Sequence, residues 1–154
     1  MKLLKRLFLV KEIKSREGVL HFQRYRLLWT PFFSIYLHYI ARSDEDTDPH
    51  NHPWEFSNLI LSGEYIEDVY IPDKNGNKQF YCSCIYKPYT SSIQYHGPGY
   101  TYNIYHKIRL IKPTWSLFFT GRRKKEKWGY LTDNGFVPFD EYREKKNSGE
   151  LAQR

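Results

Sequence analysis

Cysteine is nearly missing from this chain, with Cys82 and Cys84 the only two among 154 residues. A C-x-C pair is too close to build a disulfide framework, which excludes a stapled secreted mini-domain and fits free thiols in a reducing compartment. Long apolar runs are also missing. Lys2, Lys5 and Arg6 precede only the short run Leu7 to Val10 before Lys11 and Glu12, so a signal peptide or a membrane span lacks its hydrophobic length. A cytoplasmic location and no membrane partner are expected. Acidic residues are outnumbered, 17 against 24 basic, for a net charge of +7. That balance attracts anions of some kind without choosing among nucleic acid, a phosphorylated metabolite and plain solubility. No recognition helix, RNA-binding signature or OB-type arrangement of aromatic and basic positions is present, which argues against a nucleic-acid partner. No repeat at a fixed period is visible.

Aromatic residues are abundant, at 18% with 14 Tyr, 10 Phe and 4 Trp, and with Ile and Thr they crowd the central two-thirds of the chain. Such residues favour strands, so the class is mainly β. The length suits one domain, residues 1–154, with a barrel body over about 19–139. Leu3, Leu4, Leu7, Val10 and Ile13 lie near helical spacing and predict a short amphipathic helix over residues 2–14, ended by Gly18. Residues 19–29 and 33–39 read as the first two core strands, separated at Thr30-Pro31. Residues 41–49, ARSDEDTDP, form an acidic loop that lacks the glycine and terminal glutamate of a calcium loop, and read as a solvated connection. Residues 57–61 read as a short buried strand, with Ser62-Gly63-Glu64 a tight turn into a strand over 65–71. Asn75-Gly76 marks a hairpin turn into residues 79–86. His96-Gly97-Pro98-Gly99 reads as a second turn before strands over 100–111 and, past Lys112-Pro113, over 114–120. Residues 128–131 and 136–139 make one last hairpin, Asp140 is placed to cap a short helix carrying Tyr142 and Arg143, and residues 144–154 have the composition of a frayed tail. Short strands with turn signals every eight to twelve residues are the pattern of an antiparallel sandwich or barrel.

The chain is organised around residues 48–70, which open with His50-Asn51-His52. Side chains two apart on an extended chain point the same way, so both imidazoles can face one point. Neutral imidazole is the commonest protein ligand for a transition metal, which makes H-x-H half of a metal site. A polar loop with solvated histidines is the equally weighted alternative.

Over roughly residues 48–121 the sequence resembles the cupin superfamily, small β-barrels that hold a metal inside the barrel. The likeness rests on His50, His52 and Gly63 in the spacing of the family's first motif, followed by Gly63-Glu64-Tyr65. Phe56 stands where the family has a glutamate, and Glu55 sits one position early. The second motif is matched by the run from Gly97 to Ile108, with His106 as the implied ligand, although the usual Pro-x-Gly before it is missing. HPWEF, HKI and TWSLFFTGRRKKEKWGY also resemble short cupin-like proteins of bacterial and bacteriophage genomes. The resemblance implies a cupin-type jelly-roll barrel with short N- and C-terminal helices. It also implies His50, His52 and His106 as ligands of a divalent metal, iron(II) first, with zinc, manganese or nickel tolerated by the same donors. Glu55 is the runner-up fourth ligand, reached through a bulge, and Glu67 a weaker one, read as solvent-facing. The implied function is a metal-dependent enzyme, most concretely a mononuclear iron oxygenase acting on a small polar or anionic molecule, and the resemblance leaves a homodimer open. Its rivals are a non-redox isomerase or epimerase of sugars or nucleotides and a non-catalytic ligand-binding or structural barrel.

Arg122 and Arg123, at the head of a basic run to Lys127, read either as an anion clamp at the barrel rim or as a solvated edge guarded by its charges. His96 reads as exposed or as lining the barrel mouth, and Trp54 and Trp115 as core or pocket wall. His21 and His38 read as hydrogen-bonded structural residues, and Cys82 and Cys84 as small side chains sharing a strand face.

Overall fold

A computed structural model describes residues 8–15, 17–94, 104–123 and 127–150, the side chains of 92–94, 122 and 123 excepted. Strands β1 (Leu9–Lys14), β2 (Leu20–Trp29), β3 (Ser34–Ile40), β4 (Trp54–Pro72), β5 (Lys78–Tyr86), β6 (Ser91–Gln94) and β7 (Tyr105–Arg123) build one seven-stranded antiparallel sheet. The order is β1-β2-β3-β7-β4-β5, with β6 on β4. A hairpin of β8 (Gly129–Thr132) and β9 (Gly135–Pro138) leads into helix α1 (Phe139–Ser148). The expected turn at His96 to Gly99 lies outside the described residues.

The spine is the pair β4 and β7, each 19 residues long and bonded to the other along most of its length. The tight turn expected at Ser62-Gly63-Glu64 and the strand break expected at Lys112-Pro113 both lie inside continuous strands. They lie opposite each other. Ser62 pairs with Trp115 and Glu64 with Lys112, so Gly63 and Pro113 share one bulge in which both strands bend together. Proline has no N–H to offer a ladder, and an unpaired bulge position removes that cost. Gly63 sits at φ 89°, and a Cβ there would stand 2.2 Å from the Pro113 carbonyl oxygen, so only glycine lets the strands approach.

The bend folds the sheet onto itself around Ile40, Ile60 and Tyr65. Phe22 from β2 and Tyr86 from the edge strand β5 pack against those same three residues, which closes the interior.

Three further expectations change. Residues 9–14 are a strand rather than part of an amphipathic helix. Apolar residues three apart serve either element over so short a stretch, and the open edge of β2 supplies backbone partners that an isolated helix lacks. Asp140 lies inside the first turn of α1, and the helix starts after Pro138 with no side-chain cap. That helix continues through residues 144–148, part of the expected frayed tail, and stops at Gly149 in the left-handed conformation. Tyr142 anchors it, buried and stacked on Tyr130 at 3.8 Å between ring centres.

The acidic loop is not a solvated connection. Asp44 exchanges backbone bonds with Ile108 through its N–H (3.0 Å) and its carboxylate (2.8 Å). Asp46 accepts from Tyr130 (2.8 Å) and Lys146 (2.6 Å), and buried Asp48 accepts from Lys78 (2.7 Å) and Tyr142 (3.2 Å). Cations and hydroxyls from distant parts of the chain thus hold the loop flat against β7, the strand that carries His106.

Candidate metal centre

Clamping the loop brings His50 beside His106. Their backbones exchange two bonds, His50 N–H to the His106 carbonyl (2.9 Å) and His106 N–H to the His50 carbonyl (2.8 Å). Asn51 faces the other way, accepting from the Gly129 N–H at 2.9 Å and donating to the Lys127 carbonyl at 3.2 Å. With Asn51 tied to the β8 end, His50 and His52 both project inward. Ligand atoms of His50, His52 and His106 all lie within 4.8 Å of one another.

Glu67 completes the arrangement. It is buried, accepts the Nδ1 proton of His106, and is also bonded by the Tyr86 hydroxyl. A carboxylate on Nδ1 fixes the tautomer, leaving the Nε2 lone pair of His106 free on the inner side. That Nε2 faces Nε2 of His52 at 2.9 Å. Two nitrogens bound at about 2.1 Å to one ion and roughly perpendicular to each other stand about 3.0 Å apart, so the spacing suits neighbouring positions on a single metal. The donor set therefore fits a divalent ion.

Burial holds His52 well below the ordinary imidazole value, and burial with the neighbouring His106 holds His50 down to about 4. Both are neutral, the state a metal requires. For His106 burial acts in the same direction, but the hydrogen bond and charge of Glu67 outweigh it and raise the value. Glu67 is itself lowered, its burial being outweighed by His106 and Tyr86.

Around the cluster the wall is aromatic. Phe56 lies edge-on to His52 at 5.0 Å and stacks on Phe118 at 4.7 Å, and Trp54 lies over His52 at 6.0 Å. Trp54 Nε1 is buried and has no hydrogen-bond partner among the described residues. The sequence-derived fourth ligand, Glu55, does not belong to the converging set and lies beside Gly121. Phe56 takes the inward position next to His52, and the carboxylate that reaches the cluster is Glu67, through His106. Arg123 pairs by its backbone with Trp54, while the side chains of Arg122 and Arg123 and the whole of His96 lie outside the described part. His21 pairs with Glu45 at 2.9 Å. His38 stacks on Phe118 at 4.5 Å and accepts a bond from Arg24. Glu67, weighed from the sequence only as a weaker ligand and read as solvent-facing, instead backs His106, and Arg24 carried no signal in the sequence; the inward register of Tyr65, Glu67 and Val69 is visible only once β4 is paired with β7.

A bent antiparallel barrel whose histidines converge from a loop and the opposite long strand is a cupin architecture. Solved structures place the chain in that fold. It superposes on the DMSP lyase DddQ from Ruegeria pomeroyi DSS-3 with a TM-score of 0.52 and 16% identity, covering 80% of this chain and 58% of that one. The iron(II) form of HppE matches with a TM-score of 0.50 and 13% identity, covering 71% and 55%. The chain thus spans a little over half the length of each, and at these identities the likeness is one of fold. No family model matches the sequence, and no curated protein does.

Proposed function

We propose that this protein is a metal-dependent cupin enzyme, a mononuclear iron(II) oxygenase acting on a small polar or anionic molecule in the reducing cytoplasm. The observation that carries the reading is the carboxylate-backed histidine cluster: His50, His52 and His106 within one ligand sphere, with Glu67 behind His106. Structural histidines need no such convergence. Iron(II) bound there supplies the one-electron chemistry that lets dioxygen react with a closed-shell organic molecule. The chain's own residues do the rest. Glu67 holds the His106 Nδ1 proton and keeps Nε2 turned inward, burial keeps His50 and His52 deprotonated, and Phe56, Phe118 and Trp54 keep water from the inner face. Iron(II) in HppE, which shares the fold, supports the choice of metal. Cys82 and Cys84, both free thiols, support the reducing compartment.

The lyase among the fold neighbours supports a second reading, metal-dependent chemistry without dioxygen. Tyr86 is a poor base for such a reaction, since burial and the charge of Glu67 push its hydroxyl far above the ordinary tyrosine value. Metal analysis of protein purified without a metal-binding tag, followed by anaerobic iron(II) loading and measurement of oxygen uptake with panels of small acids, tests the proposal. Iron in stoichiometric amount and substrate-dependent oxygen uptake are expected. Metal-dependent turnover that proceeds anaerobically would overturn the oxygenase assignment, and failure to bind any divalent ion would overturn the metal assignment.

A further inference from the structure

Arg24, on β2, points into the same interior as the histidine cluster. Arg24 pairs with His38, and His38 with Ser116 on β7, which places this row on the inward face. One row along, Tyr36 pairs with Phe118, and Phe118 stacks on Phe56, the ring that lies against His52. Phe118 itself lies edge-on to His52 at 6.4 Å between ring centres, so a single aromatic side chain separates the guanidinium from the cluster.

The guanidinium is oddly provided for. Its Nε donates to Nε2 of His38 at 2.9 Å, and its carbon lies 5.1 Å from the Tyr36 ring centre, 5.6 Å from Phe22 and 6.0 Å from Phe118. This collar holds the group in place from the Nε side and over its faces. Among the described residues no carboxylate pairs with it, and no acceptor meets its two terminal nitrogens. Among the described residues the buried carboxylates Asp48, Glu67 and Asp68 each have a counter-charge, in Lys78, His106 and Arg109. Arg24 is half-buried, and its terminal nitrogens are not among the fully buried atoms left without a partner, so an anion entering the interior can reach them. His38 must be a neutral acceptor to hold Nε, which burial and the adjacent Arg24 ensure. Trp54 Nε1, beside His52, is a buried donor with no acceptor among the described residues.

The geometry points to Arg24 as the residue that binds an oxyanion group of the substrate, a carboxylate or phosphate, on its two terminal nitrogens, with His38 as the positioning residue that holds the Nε edge. A guanidinium offers two parallel N–H groups to the two oxygens of such an anion, a match that an ammonium cannot reproduce. The inference rests on the enzyme reading for the word substrate; anion binding itself does not depend on the metal. It adds an anion site on the interior wall to the clamp expected of Arg122 and Arg123.

The test is calorimetric titration of acetate, glycolate and inorganic phosphate into metal-free and cobalt(II)-loaded protein, with cobalt stoichiometry measured separately. Saturable binding of at least one probe is expected, weakened about tenfold or more by Arg24→Gln, since hydrogen bonds to a charged group are lost. Arg24→Lys, which keeps the charge and the packing over the rings, should fall in between, and both variants should take up cobalt as the parent does. His38→Gln should weaken the anion without removing cobalt. Binding of no probe, or equal affinity in parent and both Arg24 variants, would overturn the assignment. Loss of cobalt binding in the parent protein overturns the metal reading alone, because the titration on metal-free protein still reports on Arg24.

Discussion

Glu67 and His106 meet side by side in the inner wall, on the two long strands that form the spine of the sheet, with the carboxylate accepting the Nδ1 proton. Both are almost fully buried, at 4% exposure each. Neither is stable there alone, since an unpaired carboxylate costs several kcal/mol to bury and an imidazole without an acceptor loses a hydrogen bond. Their pairing turns the other ring nitrogen toward His52.

Glu67→Gln tests that relation. The amide keeps the shape but removes the charge and lets the other tautomer of His106 form, with a proton on Nε2. Divalent-metal affinity should fall by roughly ten- to a hundredfold while the fold persists, read by competition with a chelator of known affinity. Unchanged affinity would show that the carboxylate plays no part in presenting His106.

His106→Ala and His52→Ala should each abolish stoichiometric metal binding, because each removes one of the converging nitrogens. His21→Ala should bind metal like the parent, since His21 is engaged with Glu45 at 2.9 Å. Elemental analysis of the three purified variants decides it, and retention of metal by His106→Ala would mean the ion sits elsewhere.

The metal-free protein should lose stability as pH falls from about 6.5 to 4, followed by melting temperature across a buffer series. His38, His50 and His52 have folded values below that of an unfolded histidine, about 6.5, so below it the unfolded chain takes up protons that the folded one refuses. Asp46, Glu67 and Asp68 act in the same direction further down, because their lowered folded values give stability that is present above the unfolded carboxylate range and lost as they protonate. His106 opposes them: its raised value gives stability below about 6.5 that is lost as pH rises through the folded value. Three lowered histidines against one raised set the net sign. A melting temperature that rose on acidification across this window would contradict it.

Gly63→Ala should destabilise the protein by more than about 2 kcal/mol, by strain at positive φ together with the steric clash. A methyl group there meets the Pro113 carbonyl oxygen at 2.2 Å and Thr114 Oγ1 at 2.5 Å. Gly18→Ala is the control: its φ of 79° carries the strain, but open space surrounds it, and the cost should be about 1 kcal/mol. Urea denaturation separates the two, and equal losses would mean that the approach of β4 to β7 is not tight.

The sequence made the strand-rich class legible through its alternating aromatic and β-branched residues, and the three histidines through their spacing and a family resemblance. What it concealed shares one cause. Glu67 and Arg24 look like solvent-facing polar residues because the interior that holds the chemistry is polar, so apolar alternation does not mark its inward face. Gly63 and Pro113 punctuate a bend as convincingly as they would a turn, and only their opposition across two strands distinguishes the cases. Asp46 and Asp48 look solvated until Lys146 and Lys78, far along the chain, come to meet them.

His50 and His106 are joined through their backbones, and His52 lies 54 residues from its ring neighbour His106. Closing so long a loop is entropically costly and comes late, after nearer contacts have formed. An ion entering an unfolded chain finds at most the local pair of imidazoles, so it cannot template the barrel. The proposed ion would meet a finished site and stabilise by mass action alone, and its concentration should therefore slow unfolding while leaving the rate of folding almost untouched.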